Sequence, residues 1–218
     1  MKVEVISIYG FDEALFGIGL SYGLTSNLNE IDLLDLNNRN TYVELYKIAK
    51  KLAYLSGGEN KFLRQIQVWL DLNMPRYWWS EFDTYKVGTT AQSESTMHTI
   101  HKTPITLEMF EGFTDCQRNV DIINDLETLR TTYLNTKDKK YWRLLKQHLP
   151  ESFLQRRIVN LNYAVIQNML QHRYNHGLQE WRYFCEKMAK LPYADQWLMP
   201  RRKDGTIVDL QEYYNTES

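Results

Sequence analysis

The amino-acid sequence predicts an α+β fold: a small, mostly antiparallel sheet packed with long helices. Three observations lead there. Ile66, Val68, Leu70 and Leu72 alternate with Gln65, Gln67, Trp69 and Asp71, the period-two pattern of a strand with one apolar face. Five or more stretches elsewhere repeat their apolar residues at helical spacing. Hydrophobic residues make up 43% of the 218, enough for a real core in a single domain.

Taken in order, Val3, Val5 and Ile8 open a short first strand. Asp12 is placed to cap a brief helix through Ala14, Leu15, Phe16 and Leu20, which exits at Ser21-Tyr22-Gly23. Residues 24–40 are polar and Asn-rich, anchored only by Leu33, Leu34 and Leu36, and predict a loop. Thr41 and Glu44 have capping-box spacing and open a helix to Leu55, closed by Gly57-Gly58. The central strand over 62–72 follows. Met74-Pro75 stops it, because proline brings no N–H to the ladder and suits the first turn of a helix. That helix carries Tyr77, Trp78, Phe82 and Tyr85. After Val87-Gly88, residues 89–96 read Thr-Thr-Ala-Gln-Ser-Glu-Ser-Thr and predict a loop with many hydroxyls and little to bury. Strand, helix and hydroxyl loop in that order either hold a phosphate or sugar or form an ordinary surface loop.

Thr103-Pro104 to Phe113 is a connector. Asp115 then caps a long amphipathic helix through Val120, Ile123, Leu126 and Leu129 to about Leu134. A second helix follows Asp138, with Tyr141, Leu144, Leu145 and His148 on one side, and ends at Leu149-Pro150. On that apolar face His148 reads as a packing residue. Pro150-Glu151 starts another helix, which leads through Arg156-Arg157-Ile158-Val159 and Asn160-Leu161-Asn162 into the last long helices. From Pro192 a tail holds Trp197, Pro200, the basic run Arg201-Arg202-Lys203 and an Asp204-Gly205 turn. The basic run either touches phosphate or is a solvated tail.

The totals narrow the function. With 26 basic and 27 acidic residues the net charge is −1, so no global field recruits nucleic acid. Fifteen Tyr and six Trp suit stacking sites, an oligomer interface or plain core filling. Cys116 and Cys185 have no metal spacing and no disulfide pattern, the composition of a reducing, intracellular setting. There is no signal-like segment and no apolar run of membrane-spanning length, so a soluble protein without a membrane partner is expected.

The order strand, proline, apolar helix, basic residue, two residues, hydroxyl, polar run resembles the core of the flavin-dependent thymidylate synthases. Their signature is Arg-His-Arg-x-x-Ser followed by Asn-Glu-x-Ser-x-Arg. At that place this chain has Thr84-Tyr85-Lys86-Val87-Gly88-Thr89 and then Ala91-Gln92-Ser93-Glu94-Ser95-Thr96. Ser21-Tyr22-Gly23 is similar to a family triplet whose serine lies near flavin. Arg157-Ile158-Val159, then Asn162, Met169-Leu170-Gln171-His172-Arg173 and Leu178-Gln179-Glu180 resemble the family's Arg-Ile-Val-Leu-Pro, Asn, Phe-Leu-x-Leu-Arg and Ala-Gln-Trp-Glu. The resemblance covers roughly residues 1–100 and 150–190 of a single domain, 1–218. It makes 113–149 a variable helical insert and 192–218 a C-terminal tail.

The chain departs from the family in four places. Two guanidinium groups and an imidazole are lost at Thr84-Tyr85-Lys86. The segment before the central strand reads Gly57-Gly58-Glu59-Asn60-Lys61, without the usual histidine. The family's helical histidine aligns with Gly177, beside His176. A family strand between Val159 and Asn162 is expected to be missing.

The resemblance implies FAD as cofactor, contacted by Ser21, Tyr85, Lys86, Asn162 and His176. It implies a deoxyuridine nucleotide (dUMP) as substrate, held by Thr89, Gln92, Ser93, Ser95, Arg157 and Arg173, with Arg173 and Lys86 at the catalytic centre. The implied reaction is a flavin-dependent methyltransferase step of nucleotide biosynthesis, a reductive one-carbon transfer with NADPH and methylenetetrahydrofolate as co-substrates. The implied assembly is a cytoplasmic homotetramer, for which Tyr77, Trp78 and Trp79 would suit the interface. Two readings stand: a divergent enzyme of this kind, or a non-catalytic nucleotide-binding or interaction protein that keeps the fold and has lost Arg-His-Arg. Arg173 accordingly meets either a nucleotide or a carboxylate such as Glu180 or Asp195.

Overall fold

A computed structural model of the chain describes residues 1–27 and 39–217. Its strands are β1 (Lys2–Tyr9), β2 (Gln67–Pro75), β3 (Thr89–Ser93) and β4 (Leu154–Asn162). The helices are α1 (Phe11–Ser21), α2 (Arg39–Leu52), α3 (Arg76–Phe82), α4 (Thr96–Thr99), α5 (Gln117–Thr136) and α6 (Lys139–His148), then α7 (Tyr163–Arg173), α8 (Gln179–Met188), α9 (Ala194–Trp197) and α10 (Leu210–Glu217). The four strands form one antiparallel sheet in the order β1-β2-β4-β3. The expected α+β class is therefore borne out.

Several local expectations are corrected. Residues 150–159 do not start a helix. After a turn that closes from the Phe153 N–H to the Pro150 carbonyl at 3.0 Å, the chain enters β4. Ile158 and Val159 are β-branched and favour the extended backbone, and Val159 and Leu161 alternate into the core. A strand thus occupies the place where one was expected to be missing. The hydroxyl run is likewise extended over Thr89–Ser93, and just past its end the Glu94 N–H donates to the Arg156 carbonyl at 2.8 Å. Strand β2 starts at Gln67 and runs through Met74 to Pro75, which caps α3 rather than opening it.

Gly10, not Asp12, caps α1: its φ is 96°, and a Cβ there would lie 2.5 Å from the Gln65 carbonyl oxygen. Helix α2 begins at Arg39, so Thr41 lies inside it, and it ends at Leu52 rather than Leu55. Residues 28–38 of the expected 24–40 loop lie outside the described residues. Cys116, not Asp115, is the N-cap of α5, whereas the Asp138 side chain accepts from the Lys140 N–H at 2.8 Å and caps α6 as expected.

The chain divides into two compact units. The first comprises Met1–Val3, Asp71–Thr84 and Ala91–Ile158. Trp78, Trp79 and Phe82 are buried in it, with ring centroids 5.0 to 5.2 Å apart. The two tryptophans proposed for an interface therefore fill the core of one unit. Beside them Ile100, Phe110, Leu126, Leu145, Leu149 and Phe153 form a second cluster around α5 and α6. Asp71 is 4% exposed. Its carboxylate accepts two bonds of 2.7 Å from Arg156 and one of 2.8 Å from Lys2. The Arg156 fork holds that carboxyl down at about 2, with Lys2 adding to the effect.

The second unit comprises Glu4–Leu70, Tyr85–Thr90 and Val159–Ser218. Leu15, Leu45, Leu63, Ile66, Tyr163, Ile166, Trp181 and Trp197 are fully buried there. In the segment after α8 Trp197, Leu198, Val208 and Leu210 are buried, while Arg202 and Lys203 of the basic run are exposed. Side chains from elsewhere hold its main-chain carbonyls. Tyr163 donates to Pro192, Gln167 to Trp197, Tyr54 to Met199 and Gln171 to Arg201, at 2.9, 2.6, 3.2 and 2.9 Å. Cys116 and Cys185 are both free thiols. Among the described residues no helix is long and apolar enough to cross a membrane.

Candidate functional site

Helix α7 organises the candidate residues of the second unit. Asn162 leaves β4 with extended backbone, and its side-chain oxygen accepts from the Val165 N–H at 3.1 Å, so it is the N-cap. The amide nitrogen of the same side chain faces the 85–90 segment. A Cβ on Gly88, whose φ is 74°, would come within 2.7 Å of it. Eleven residues at the helical rise place Arg173 about 16 Å further along the axis.

Arg173 is the last residue of α7. Its Nε donates to the Tyr85 hydroxyl at 2.9 Å. Its guanidinium carbon lies 4.8 Å from the centroid of Trp181 and 5.6 Å from that of Tyr85. The two rings meet edge to face at 6.1 Å, and the Trp181 side chain is fully buried. A planar cation between two aromatic rings is held in orientation as well as in place.

His176 follows the end of α7. Its Nδ1 accepts from the Leu178 N–H at 3.2 Å, which leaves the proton of the neutral ring on Nε2, and its ring lies 6.4 Å from Trp181. The Arg182 Nε donates to the His176 carbonyl at 3.1 Å. Cys185, on α8, is fully buried, and burial pushes its thiol up to about 12.

Ser21 closes α1 and lies on a cleft of about 560 Å³, with Gly17, Tyr22, Gly57, Gly58, Lys61 and Gln65 among its lining residues. That volume falls in the range of small-molecule sites. The Tyr163 N–H at the start of α7 donates to the Ile66 carbonyl at 3.0 Å, one residue beyond Gln65, so α7 is tied to the cleft wall.

The remaining candidates are dispersed. Lys86 is exposed and Thr89 half-buried, both in the second unit. Gln92, Ser93, Ser95 and Arg157 belong to the first. Gln92 and Ser93 are exposed on β3, and Ser95 caps the one-turn α4. Arg157 donates to Asp83 at 2.7 Å and to the Gln155 side chain at 3.1 Å, and stacks 4.1 Å from the Trp79 ring. Its fork is thus engaged inside its own unit. Trp181 and Gly88 were not among the sequence candidates. Their roles depend on which residue approaches across the fold, and a lone Trp or Gly signals neither.

Solved structures share this architecture. Two crystal structures of the flavin-dependent thymidylate synthase ThyX from Helicobacter pylori, both with FAD and dUMP, superpose with TM-scores of 0.66 and 0.67. Each is 18% identical. The match covers 94% and 91% of this chain and 99% and 96% of theirs. By sequence, no family model and no curated protein matches. The class defined is thus an α+β protein of one antiparallel sheet and packed helices. The particular fold, over nearly the whole chain, is that of flavin-dependent thymidylate synthase.

Proposed function

We propose that the chain is a divergent flavin-dependent thymidylate synthase-like enzyme that binds FAD and a deoxyuridine nucleotide and performs reductive one-carbon transfer to the pyrimidine. The observation that carries the reading is the clamped Arg173 fork, on a fold shared with proteins crystallised with FAD and dUMP. A guanidinium stays charged and offers parallel donors, which suits a pyrimidine carbonyl or a phosphate.

The residues present fit a flavin. The cleft has the volume of a ligand site, Ser21 brings a hydroxyl, Lys61 a cation, and Gly57 and Gly58 admit close approach of a ligand to backbone. Bound flavin would supply the hydride chemistry, with NADPH and methylenetetrahydrofolate as co-substrates. The chain's own residues bind and orient: Asn162 presents its amide at the head of α7, His176 carries its proton on Nε2, and Lys86 adds an exposed point charge. Thr89, in the same unit as Arg173, joins the proposed nucleotide contacts, and Tyr85 stands with the flavin set. A cytoplasmic homotetramer goes with this reading. Exposed Val5, Ile6 and Tyr9 on β1 and Val87, 89% exposed, are the apolar surface that supports an interface.

Flavin binding is the deciding experiment. Purified protein is expected to be yellow or to quench the fluorescence of added FAD. Colourless protein that shows no saturable FAD binding reduces the reading to the fold alone.

A further inference from the structure

We propose that Gln65 is a specificity-determining residue of the cleft beside Ser21, its side-chain amide reading the hydrogen-bonding edge of a planar heterocycle bound there. The inference rests on the functional reading above and deepens it, because FAD carries two such rings, an isoalloxazine and an adenine.

Gln65 is the C-cap of a 3-10 turn over Glu59–Arg64 that leads towards β2. Its main chain is pinned. The N–H donates to the Phe62 carbonyl at 3.0 Å, and the carbonyl oxygen lies 2.5 Å from where a Cβ on Gly10 would stand. Leu63 and Ile66 close by are fully buried. The Gln65 side chain, in contrast, is exposed and lines the cleft. Its amide runs past Gly17 of α1, where a Cβ would be 3.6 Å from Oε1 and 4.0 Å from Nε2. Both polar atoms thus lie beside a stretch of helix that carries no side chain. Among the described residues, none forms a hydrogen bond with that amide.

The charges of the cleft decide the class of ligand. Among the described residues that line it, Lys61 is the one cation and Glu59 the one carboxylate, so the lining has no net charge with which to select an anion. Ile18, Tyr22 and Phe62 add apolar surface, and Gly57 and Gly58, at φ 85° and 100°, bring bare main chain to the wall. A neutral, partly apolar slot suits a flat ring fixed by a few polar groups. A primary amide sets a donor and an acceptor side by side. That pair complements a ring edge that presents an acceptor next to an N–H, as glutamine does when it bonds adenine at two points. Isoalloxazine has such an edge at its imide N–H and the carbonyls beside it, adenine at its amino group and an adjacent ring nitrogen. With the main chain beneath it already fixed, Gln65 loses only side-chain freedom on binding.

The test titrates the full chain with FAD, and then with FMN and ADP, each of which carries one of the two rings. Gln65→Met keeps the length and bulk of the side chain and removes its donor and acceptor. Its melting temperature and near-ultraviolet circular dichroism should match wild type, because the side chain is exposed. It is expected to weaken FAD binding roughly 10-fold, the lower end of what two neutral hydrogen bonds contribute. It should weaken one of FMN and ADP by a similar factor and leave the other unchanged, and the one weakened names the ring in the cleft. Unchanged FAD binding in Gln65→Met overturns the inference and leaves the flavin reading standing. Equal losses for FMN and ADP also overturn it, because Gln65 would then shape the cleft rather than read one ring. Wild type that binds ADP as tightly as FAD, ignores FMN and loses ADP affinity in Gln65→Met keeps the inference and removes the flavin reading. Wild type that binds none of the three at millimolar concentration removes both.

Discussion

Asp71 offers the sharpest test of the electrostatics. Its carboxylate is held by two bonds from Arg156 and one from Lys2, which places β1, β2 and β4 in a single ionic cross-link. The native carboxyl titrates at about 2 against an ordinary 3.8. That difference is worth about 2.4 kcal/mol at neutral pH. Because the native value is depressed, the contribution is whole above pH 4, where folded and unfolded chains are both ionised. It is lost as the pH falls from about 4 to about 2, where only the unfolded chain takes up the proton. Asp71→Asn keeps the shape and removes the titration. The Arg156 and Lys2 side chains are 59% and 42% exposed, so water receives them once the charge is gone. In urea unfolding followed by tryptophan fluorescence, wild type is expected to exceed Asp71→Asn by about 2 kcal/mol at pH 7, or about 5 °C in melting temperature for a chain this long. The two should converge near pH 2. A gap that stays constant from pH 7 to pH 2 refutes the argument, because the contribution would then not come from ionisation.

Three further outcomes follow from the geometry. Gly10→Ala should destabilise by roughly 2 kcal/mol or more, read from chemical denaturation, because a Cβ would meet the Gln65 carbonyl oxygen at 2.5 Å on a left-handed backbone that only glycine takes easily. Native protein should react with a thiol reagent at Cys116 alone. Cys185 is fully buried with its thiol pushed up to about 12, and it should be labelled only after unfolding. Arg173→Ala should weaken dUMP binding by about 1.5–3 kcal/mol, the worth of a charge-assisted bond, while the melting temperature changes little; a large melting loss with unaltered binding would assign Arg173 to structure instead.

What the sequence disclosed and what it withheld divide along contact distance. Period-two alternation through Ile66, Val68, Leu70 and Leu72 announced β2 because a strand with one buried face writes that pattern locally. Asp138 announced α6 because a cap needs only its own next two residues. β4 was hidden: Arg156-Arg157 looks like a helix surface until β2 and β3, some sixty and more residues away, take its two edges. Trp78 and Trp79 read as surface aromatics because nothing local tells a core from an interface. The same limit applied to the site. Arg173 stood out from the resemblance, but its hydroxyl partner lies 88 residues earlier. Arg157 also carried a family match, and only the fold reveals that Asp83 and Trp79 already occupy its fork.

The last segment of the chain is held in an unusual currency. Tyr163, Gln167, Tyr54 and Gln171 bond to the main-chain oxygens of Pro192, Trp197, Met199 and Arg201, and every residue type carries such an oxygen. At its exposed positions, such as Asp195, this stretch is therefore free to change letter across evolution without disturbing those bonds. It is not free to change length. One inserted or deleted residue between Pro192 and Arg201 would move the later oxygens away from their donors together. Among relatives of this chain the segment should drift in spelling while keeping its count.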